Sequence, residues 1–484
     1  MKKILTLLLA LWMLTGCVAM AAENQLVVGS TTAMSGAFFT DLFGSNTADI
    51  DVRALLHGYN LMSWDHETGT YQINDSVVAG MAVSRDAQNN RVYTFDLYGD
   101  LKFSDGSAIT AKDYAFSILL TASPELAKLG GQSAAVGAIL GMDAYQSGKS
   151  SVLRGVRLLS DTQMSITISK AYEPYFYEMA LFDYSPYPIS VLAPGCKVVD
   201  TEKGVGIVNA SGTGGALFTA DLLQKTILDA ATGYMSHPSV VSGPYTLTSY
   251  DAQSGTASFA INPYYKGNED GEKPTIETIV YRSVANDEAI DLLLSGEVDL
   301  LNKMVAADTI SKGIQSTADQ PFSVANYPRS GLSMISFSCE RQTVSGKAVR
   351  QAIASCFDRD ALVKAYTGNF GLKANGYFGI GQWMYQLAAG TIQPPVVDLP
   401  ANATAKETAA YEKTVAQWDA LSLDKLKDYP LDLDQAAKLL DQDGWRLGKD
   451  GLRAKKIDGK TVALDLTLIY PEGNAVGDAL NATL

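Results

Sequence analysis

The first seventeen residues constrain this chain before any fold is considered. Met1-Lys2-Lys3 is a short basic start, Ile4 to Leu14 is an apolar run without charge, and Leu14-Thr15-Gly16-Cys17 closes it with small residues and a cysteine. Basic, then apolar, then small is the order of an export signal. The run is too short to cross a bilayer as a stable helix, which takes about 20 apolar residues. The remainder of the chain is expected to fold outside the cytoplasm, where disulfides can form. Four cysteines in 484 residues do not make a disulfide scaffold, so a chain of this kind must hold together by burying apolar surface.

Leu-Thr-Gly followed by Cys17 resembles the lipobox of bacterial lipoproteins, in which that cysteine carries lipid and becomes the mature N-terminus. The expectation is a signal peptide over 1–17 and a lipid anchor on Cys17, at the periplasmic face or cell surface. The plain alternative is an ordinary secretory signal. Cys196, Cys339 and Cys356 then remain, an odd number. Cys339 and Cys356 are the nearer pair, but free, buried thiols are the expectation for all three. The formal net charge is −14, with no basic cluster, which argues against nucleic acid and against docking on anionic lipid. His57, His66 and His237 are the only histidines, and none has a spaced partner. No metal site or cofactor is expected. The 24 tyrosines suit a pocket that accepts varied ligands, each having an apolar face and a polar tip.

Strand and helix patterns alternate along the chain, so the class is α/β or α+β. Asn24 to Gly29 reads as a buried strand, followed by a loop of small and hydroxyl residues over Ser30 to Phe39. Leu55 to Met62 reads as the end of a helix and Tyr93 to Leu97 as a strand. Thr110 and Asp113 form a capping box that opens an amphipathic helix, an explanation preferred over a catalytic pair. Val152 to Ser169 and Gly243 to Ile261 each read as two strands. Gly204 to Gly215 reads as a glycine-rich loop. Tyr281 to Leu301 gives strand, helix, Gly296, strand, with Asn286 as N-cap. Ser333 to Phe337 reads as a strand, Lys347 to Tyr366 as one helix, and Gly390 to Asp428 as a polar surface insertion. Asp432 to Gln442 is a capped helix stopped by Gly444, and Val462 to Tyr470 a strand. Gly148-Lys149-Ser150 matches the tail of a phosphate loop, but Asp143 stands where its first glycine is needed. No G-x-S-x-G elbow occurs.

Three stretches then carry a resemblance. The first is YTFDLYGDLKFSDGSAITAKDYAFS, Tyr93 to Ser117. The second is SGPYTLTSY, Ser242 to Tyr250, continuing through INPYYKG to KPTIETIVYRSVANDEAIDLLLSGEVDLL. The third is GKAVRQAIASCFDRDALVKAYTGNFG, Gly346 to Gly371, and LDLDQAAKLLDQDGWR adds a weaker fourth. In this order they resemble the extracytoplasmic solute-binding proteins of peptide-type (oligopeptide and dipeptide) ABC importers, family 5. Most of these motifs have structural readings: Asp105-Gly106 is a turn, Gly296 stops a helix, and Arg350, Asp358 and Arg359 brace a helix rather than touch ligand.

The resemblance implies an α/β, two-lobed periplasmic-binding-protein-like clamp (type II, three-domain variant). Mapped onto this chain, the first lobe takes 18–45 and 171–273, an inserted domain takes 46–170, and the opposing lobe takes 274–484. The family normally continues past the position matching Leu484, and truncation is the favoured reading. Ligand approaches loops at strand ends, where backbone N–H groups are free, so Thr32, Met34, Ser35 and Gly36 are candidates, with a plain turn as the alternative. Trp383 and Tyr385 fall where the family presents an aromatic to the cleft, core packing being an equal alternative. Tyr245 and Asn474 rank lower. The implied function is a non-enzymatic, monomeric substrate-binding subunit that captures oligopeptides by lobe closure and delivers them to membrane permease subunits. The same clamp with an oligosaccharide, nickel chelate or haem is the runner-up, and an extracellular hydrolase ranks below both.

Overall fold

The computed structural model describes residues 24–44, 46–65, 70–132, 137–173, 178–317, 320–327, 331–368, 370–392, 403–470 and 475–483. The signal segment with Cys17, His66 and Asn474 lie outside the described residues. The chain divides into two compact units, the first ending at Lys303 and the second beginning at Met304.

The first unit opens with β1 (Gln25–Ser30) and α1 (Thr47–Leu56). Asn46 starts that helix with a capping box: its Oδ1 accepts from the N–H groups of Ala48 and Asp49, and the Asp49 carboxylate accepts from the Asn46 N–H. There follow β2 (Met62–Asp65), β3 (Thr70–Ile73), β4 (Val78–Arg85) and β5 (Arg91–Leu97), then α2 (Ala111–Thr121). Thr110 and Asp113 cap α2 as expected. Tyr114, Phe116, Ile118, Leu119 and Leu120 along α2 are all fully buried. Apart from Lys112 at its start, the helix expected to be amphipathic is buried nearly all round, as a helix apolar on most sides is, each buried Phe, Ile or Leu contributing about 1.5–3 kcal/mol.

Next come β6 (Val152–Leu153), β7 (Val156–Leu158), β8 (Gln163–Ile168), β9 (Cys196–Thr201) and β10 (Gly204–Asn209). The glycine-rich loop expected over Gly204 to Gly215 is thus half strand. A Cβ on Gly204 would lie 2.3 Å from the Leu153 carbonyl oxygen and one on Gly206 2.9 Å from that of Ser151. These two glycines allow strands to approach closely. The unit closes with α3 (Ala220–Ile227), β11 (Tyr245–Asp251), β12 (Thr256–Ile261), β13 (Thr278–Ser283), α4 (Ala289–Ser295) and β14 (Leu300–Asn302). Glu288 rather than Asn286 holds the cap position of α4, without a side-chain cap bond, and Gly296 ends it with φ +77°.

Three sheets of three or more strands organise this unit: β11-β12-β13-β1-β14, β4-β5-β8-β7 and β6-β10-β9. In the first, β1 runs parallel to both β13 and β14, while β11, β12 and β13 are antiparallel. β13 and β14 lie beyond Pro274, where the sequence mapping began the opposing lobe, yet both pair with β1. Two cores result. One joins Val28, Phe38, Val52, Leu56, Phe259 and Tyr281 between α1 and the five-stranded sheet. The other gathers around α2 and includes Phe39, Phe95, Phe103 and Phe182.

The second unit contains α5 (Ala307–Thr317), α6 (Lys347–Ala354), α7 (Arg359–Thr367), α8 (Trp383–Ala388), α9 (Ala405–Asp419), α10 (Leu433–Gln442), the sheet β15 (Arg446–Leu447), β16 (Arg453–Ile457) and β17 (Lys460–Ala463), and α11 (Ala475–Asn481). Trp445 is buried with Val344 and Val349 where α6 meets α10. The single helix expected over Lys347 to Tyr366 is broken, because Asp358 turns its carboxylate onto the Ala361 N–H at 2.9 Å and starts α7. Ser333 to Phe337 carries no strand, and the strand expected to reach Tyr470 stops at Ala463. Cys196 is a buried free thiol; Cys339 and Cys356 are free but exposed, not buried as expected.

Candidate functional site

β13, β1 and β14 end in register at Ser283, Ser30 and Asn302. The carboxyl ends of parallel strands are where α/β folds receive ligands, since the loops that leave them carry unpaired backbone groups. The loop after β1 is held from several sides. Ser30 Oγ donates to the Thr32 carbonyl at 3.1 Å and accepts from the Thr32 N–H at 3.2 Å. The Asp49 carboxylate accepts from the Ser35 N–H at 2.9 Å and the Ser35 hydroxyl at 2.6 Å, beside its capping bond. Asn46 Nδ2 donates to the Ala33 carbonyl at 2.8 Å, and Arg53 Nη1 to that of Ala37 at 2.8 Å.

Phe38 and Phe39 rivet this loop to the unit. Phe38 enters the sheet core and Phe39 the core around α2, so adjacent side chains point to opposite sides. His57 Nε2 lies 2.9 Å from the Phe38 carbonyl, with the rings of Phe39, Tyr187 and Tyr234 around it. Desolvation pushes His57 down to about 4, and the Arg53 charge adds to this, while the bond to the carbonyl opposes it. The imidazole is neutral at pH 7 and donates to Phe38.

This geometry separates the candidates. Thr32 is half-buried and Ser35 exposed, so both keep polar groups at the surface of the loop. Met34 packs in the sheet core. Gly36 sits at φ +86° beneath the Tyr250 ring, which a Cβ would meet at 3.3 Å. Tyr245 is also in the sheet core, its hydroxyl donating to the Ile276 carbonyl at 2.9 Å. Trp383 and Tyr385 belong to the second unit, both half-buried on α8.

Sequence reading did not anticipate two clusters. In the first unit, Asp51 on α1 accepts from the Tyr281 hydroxyl at 2.9 Å, from Asn302 Nδ2 at 2.8 Å and from Lys303 Nζ. Tyr281 is raised above the ordinary phenol range by desolvation. These partners are 230 or more positions from Asp51, so spacing could not reveal them. In the second unit, buried polar atoms without a partner among the described residues include Asn375 Oδ1, Gln382 Oε1 and Arg359 Nε. Arg359 otherwise braces α7, donating to the Asp428 carboxylate at 2.6 Å, as Arg350 does for α6 through the Val344 and Ser345 carbonyls. Among the described residues no helix is long and apolar enough to cross a membrane. No group of three His, Cys, Asp or Glu among them is arranged to hold a metal.

Comparison with known proteins places this architecture. The model of the bacterial extracellular solute-binding proteins, family 5 (middle), matches residues 76–483. The oligopeptide-binding protein OppA of Lactococcus lactis subsp. lactis (strain IL1403) is 26% identical over 420 residues, covering 84% of this chain but 56% of the relative. The chain thus spans little more than half the length of that relative. Among solved structures, the oligopeptide-binding protein from Thermus thermophilus, complexed with a pentapeptide, matches with TM-score 0.60 at 17% identity, over 95% of this chain and 70% of that one. NikZ from Campylobacter jejuni, in complex with Ni(L-His), matches with TM-score 0.54 at 15% identity, over 90% and 66%. The fold is therefore that of the periplasmic binding proteins of the oligopeptide-binding type, and the chain belongs to family 5 of the bacterial extracellular solute-binding proteins.

Proposed function

We propose that this chain is the substrate-binding component of a peptide-type ABC importer, capturing oligopeptides and delivering them to membrane permease subunits. The observation that carries the reading is the family match over 76–483, joined to a relative named for oligopeptide binding. The loop after β1 fits such a role. Thr32 and Ser35 stand at the end of a parallel strand, where their hydroxyl oxygens keep acceptor capacity although their N–H groups are taken by Ser30 and Asp49, and main-chain hydrogen bonding gives affinity without demanding a peptide sequence. Met34 anchors that loop in the sheet core and Gly36 packs under Tyr250. Tyr245, level with the start of β1 rather than its end, and Trp383 and Tyr385 on the second unit are proposed as contacts on the family resemblance alone. Asn474 remains a candidate by its place in the sequence. Cys17 would carry the lipid that ties the protein to the membrane. Closure of the clamp on ligand needs only a few kcal/mol of preference for the closed state.

Native mass spectrometry of the protein, with fragmentation of what co-purifies, tests the reading. A ladder of peptide masses is the expected result, and a single hexose-containing mass would overturn it. A metal-bearing adduct would favour the second reading, a nickel chelate, which the likeness to the nickel-complexed NikZ supports.

A further inference from the structure

The Asp51 cluster stands where the first unit ends. Lys303 is the last residue of that unit. It is one of four non-glycine residues among those described with positive φ, at +56°. A lysine in the left-handed region is strained by its Cβ and persists only where its surroundings hold it there. The hold is visible. Lys303 Nζ is paired with Asp51 Oδ1, while Asp51 Oδ2 accepts from both the Tyr281 hydroxyl and Asn302 Nδ2. Three elements of the first unit therefore converge on one carboxylate: α1 carries it, β13 brings Tyr281 to it from within the strand, and β14 ends on it with Asn302. The side chains of Asp51 and Lys303 are 19% and 32% exposed, a partly desolvated pair rather than a surface one. Both carboxylate oxygens are occupied, so the cluster has little left to offer a ligand.

We infer that Asp51 and Lys303 are positioning residues: their ion pair pins Lys303 in the left-handed conformation at the point where the chain leaves the first unit. The pin acts whatever the cargo is, and does not depend on the oligopeptide reading. Asp299 supports it from behind. Its carboxylate accepts from the Val27 N–H at 2.7 Å and its own N–H donates to the Val27 carbonyl at 2.9 Å, locking the short strand β14 to β1 just before the exit.

The test is a distance distribution between spin labels in the full chain, with the exposed Cys339 and Cys356 replaced by serine. One label goes on Lys203→Cys in the first unit and the other on Lys449→Cys in the second, both at exposed turn positions. A control pair, Lys203→Cys with Gln253→Cys, lies within the first unit. Asp51→Asn and Lys303→Met are each expected to widen the distribution between the units and leave the control pair unchanged. Lys303→Met retains Asp51 with Tyr281 and Asn302, so it carries the test if Asp51→Asn does not fold. An unchanged distribution between the units would overturn the inference. So would equal widening of the control pair, since the cluster would then merely hold the first unit together.

Discussion

Single atoms decide much of this fold. Gly243 lies against the end of α1: its N–H donates to the Leu56 carbonyl at 2.8 Å, and a Cβ would meet the Leu55 oxygen and the Leu56 carbonyl carbon at 2.5 Å. Backbone atoms cannot yield as a flexible side chain can, so Gly243→Ala is expected to cost about 3 kcal/mol or more. Gly215, with open space where its Cβ would stand, is the matched control. Thermal unfolding of the two variants checks this: Gly243→Ala should melt several degrees lower and Gly215→Ala should not. His57 makes a second prediction at this scale. Its folded value is about 4 against 6.5 unfolded, so between those values the unfolded chain binds a proton that the native imidazole refuses. The stabilising contribution is therefore complete above pH 6.5 and is lost as pH falls toward 4, amounting to about 2 kcal/mol after allowance for partial solvent contact. Asp113 works the other way, since desolvation raises it to about 6 and its protonated form favours the native state as pH falls. The difference between wild type and His57→Gln isolates the imidazole. Urea midpoints from pH 7 to pH 4 should fall less steeply in the variant.

At the scale of elements, the sequence was legible where local chemistry decides. The capping box of α2, the Asp432 cap of α10 and the positive-φ stop at Gly296 are each set by residues within four positions of one another; the Asn46 box of α1 is just as local, yet the sequence reading takes in only the end of that helix. Shared motifs also acquire physical reasons. Asn262 donates to the Gly243 carbonyl at 2.9 Å, so the Asn-Pro and Gly-Pro-Tyr segments brace each other across a hairpin. Legibility failed where a distant partner decides. The helix pattern over Lys347 to Tyr366 is continuous, but Asp358 caps from within it and Arg359 is drawn to Asp428. Gly204 to Asn209 looks flexible until the carbonyls of Ser151 and Leu153 are seen to occupy the space that side chains would need at Gly204 and Gly206. The loop after β1 is legible as a distinct segment, but its anchors, Met34 and the two phenylalanines, are set by the cores on either side of it. That loop depends on one carboxylate. Asp49→Ala removes three hydrogen bonds, two to Ser35 and one to Asn46. A loss of about 2 kcal/mol is expected, and hydrogen exchange at the Ser35 amide should accelerate while that of β12 does not. If the loop receives ligand, affinity falls in the same variant. If affinity is unchanged, Thr32 and Ser35 are not contacts.

At the scale of the whole molecule, motif order identified the family where composition could not, because motifs of this kind fix the scaffold and leave the cargo to the site. Charge acts at this scale too. A formal net charge of −14 sets up a field that no single residue creates, and it biases encounter more than final affinity. If the ligands are peptides, a lysine-bearing peptide should associate faster than its glutamate counterpart at low ionic strength. The advantage should shrink as salt rises, since the screening length is about 10 Å at 0.1 M and about 3 Å at 1 M. Stopped-flow fluorescence at several salt concentrations reads this directly from association rates. Dissociation rates should change far less, because they report contacts inside the site rather than the field around it. If instead dissociation carries the salt dependence, an ion pair within the site itself governs recognition, and the selective charge must be sought among its lining residues.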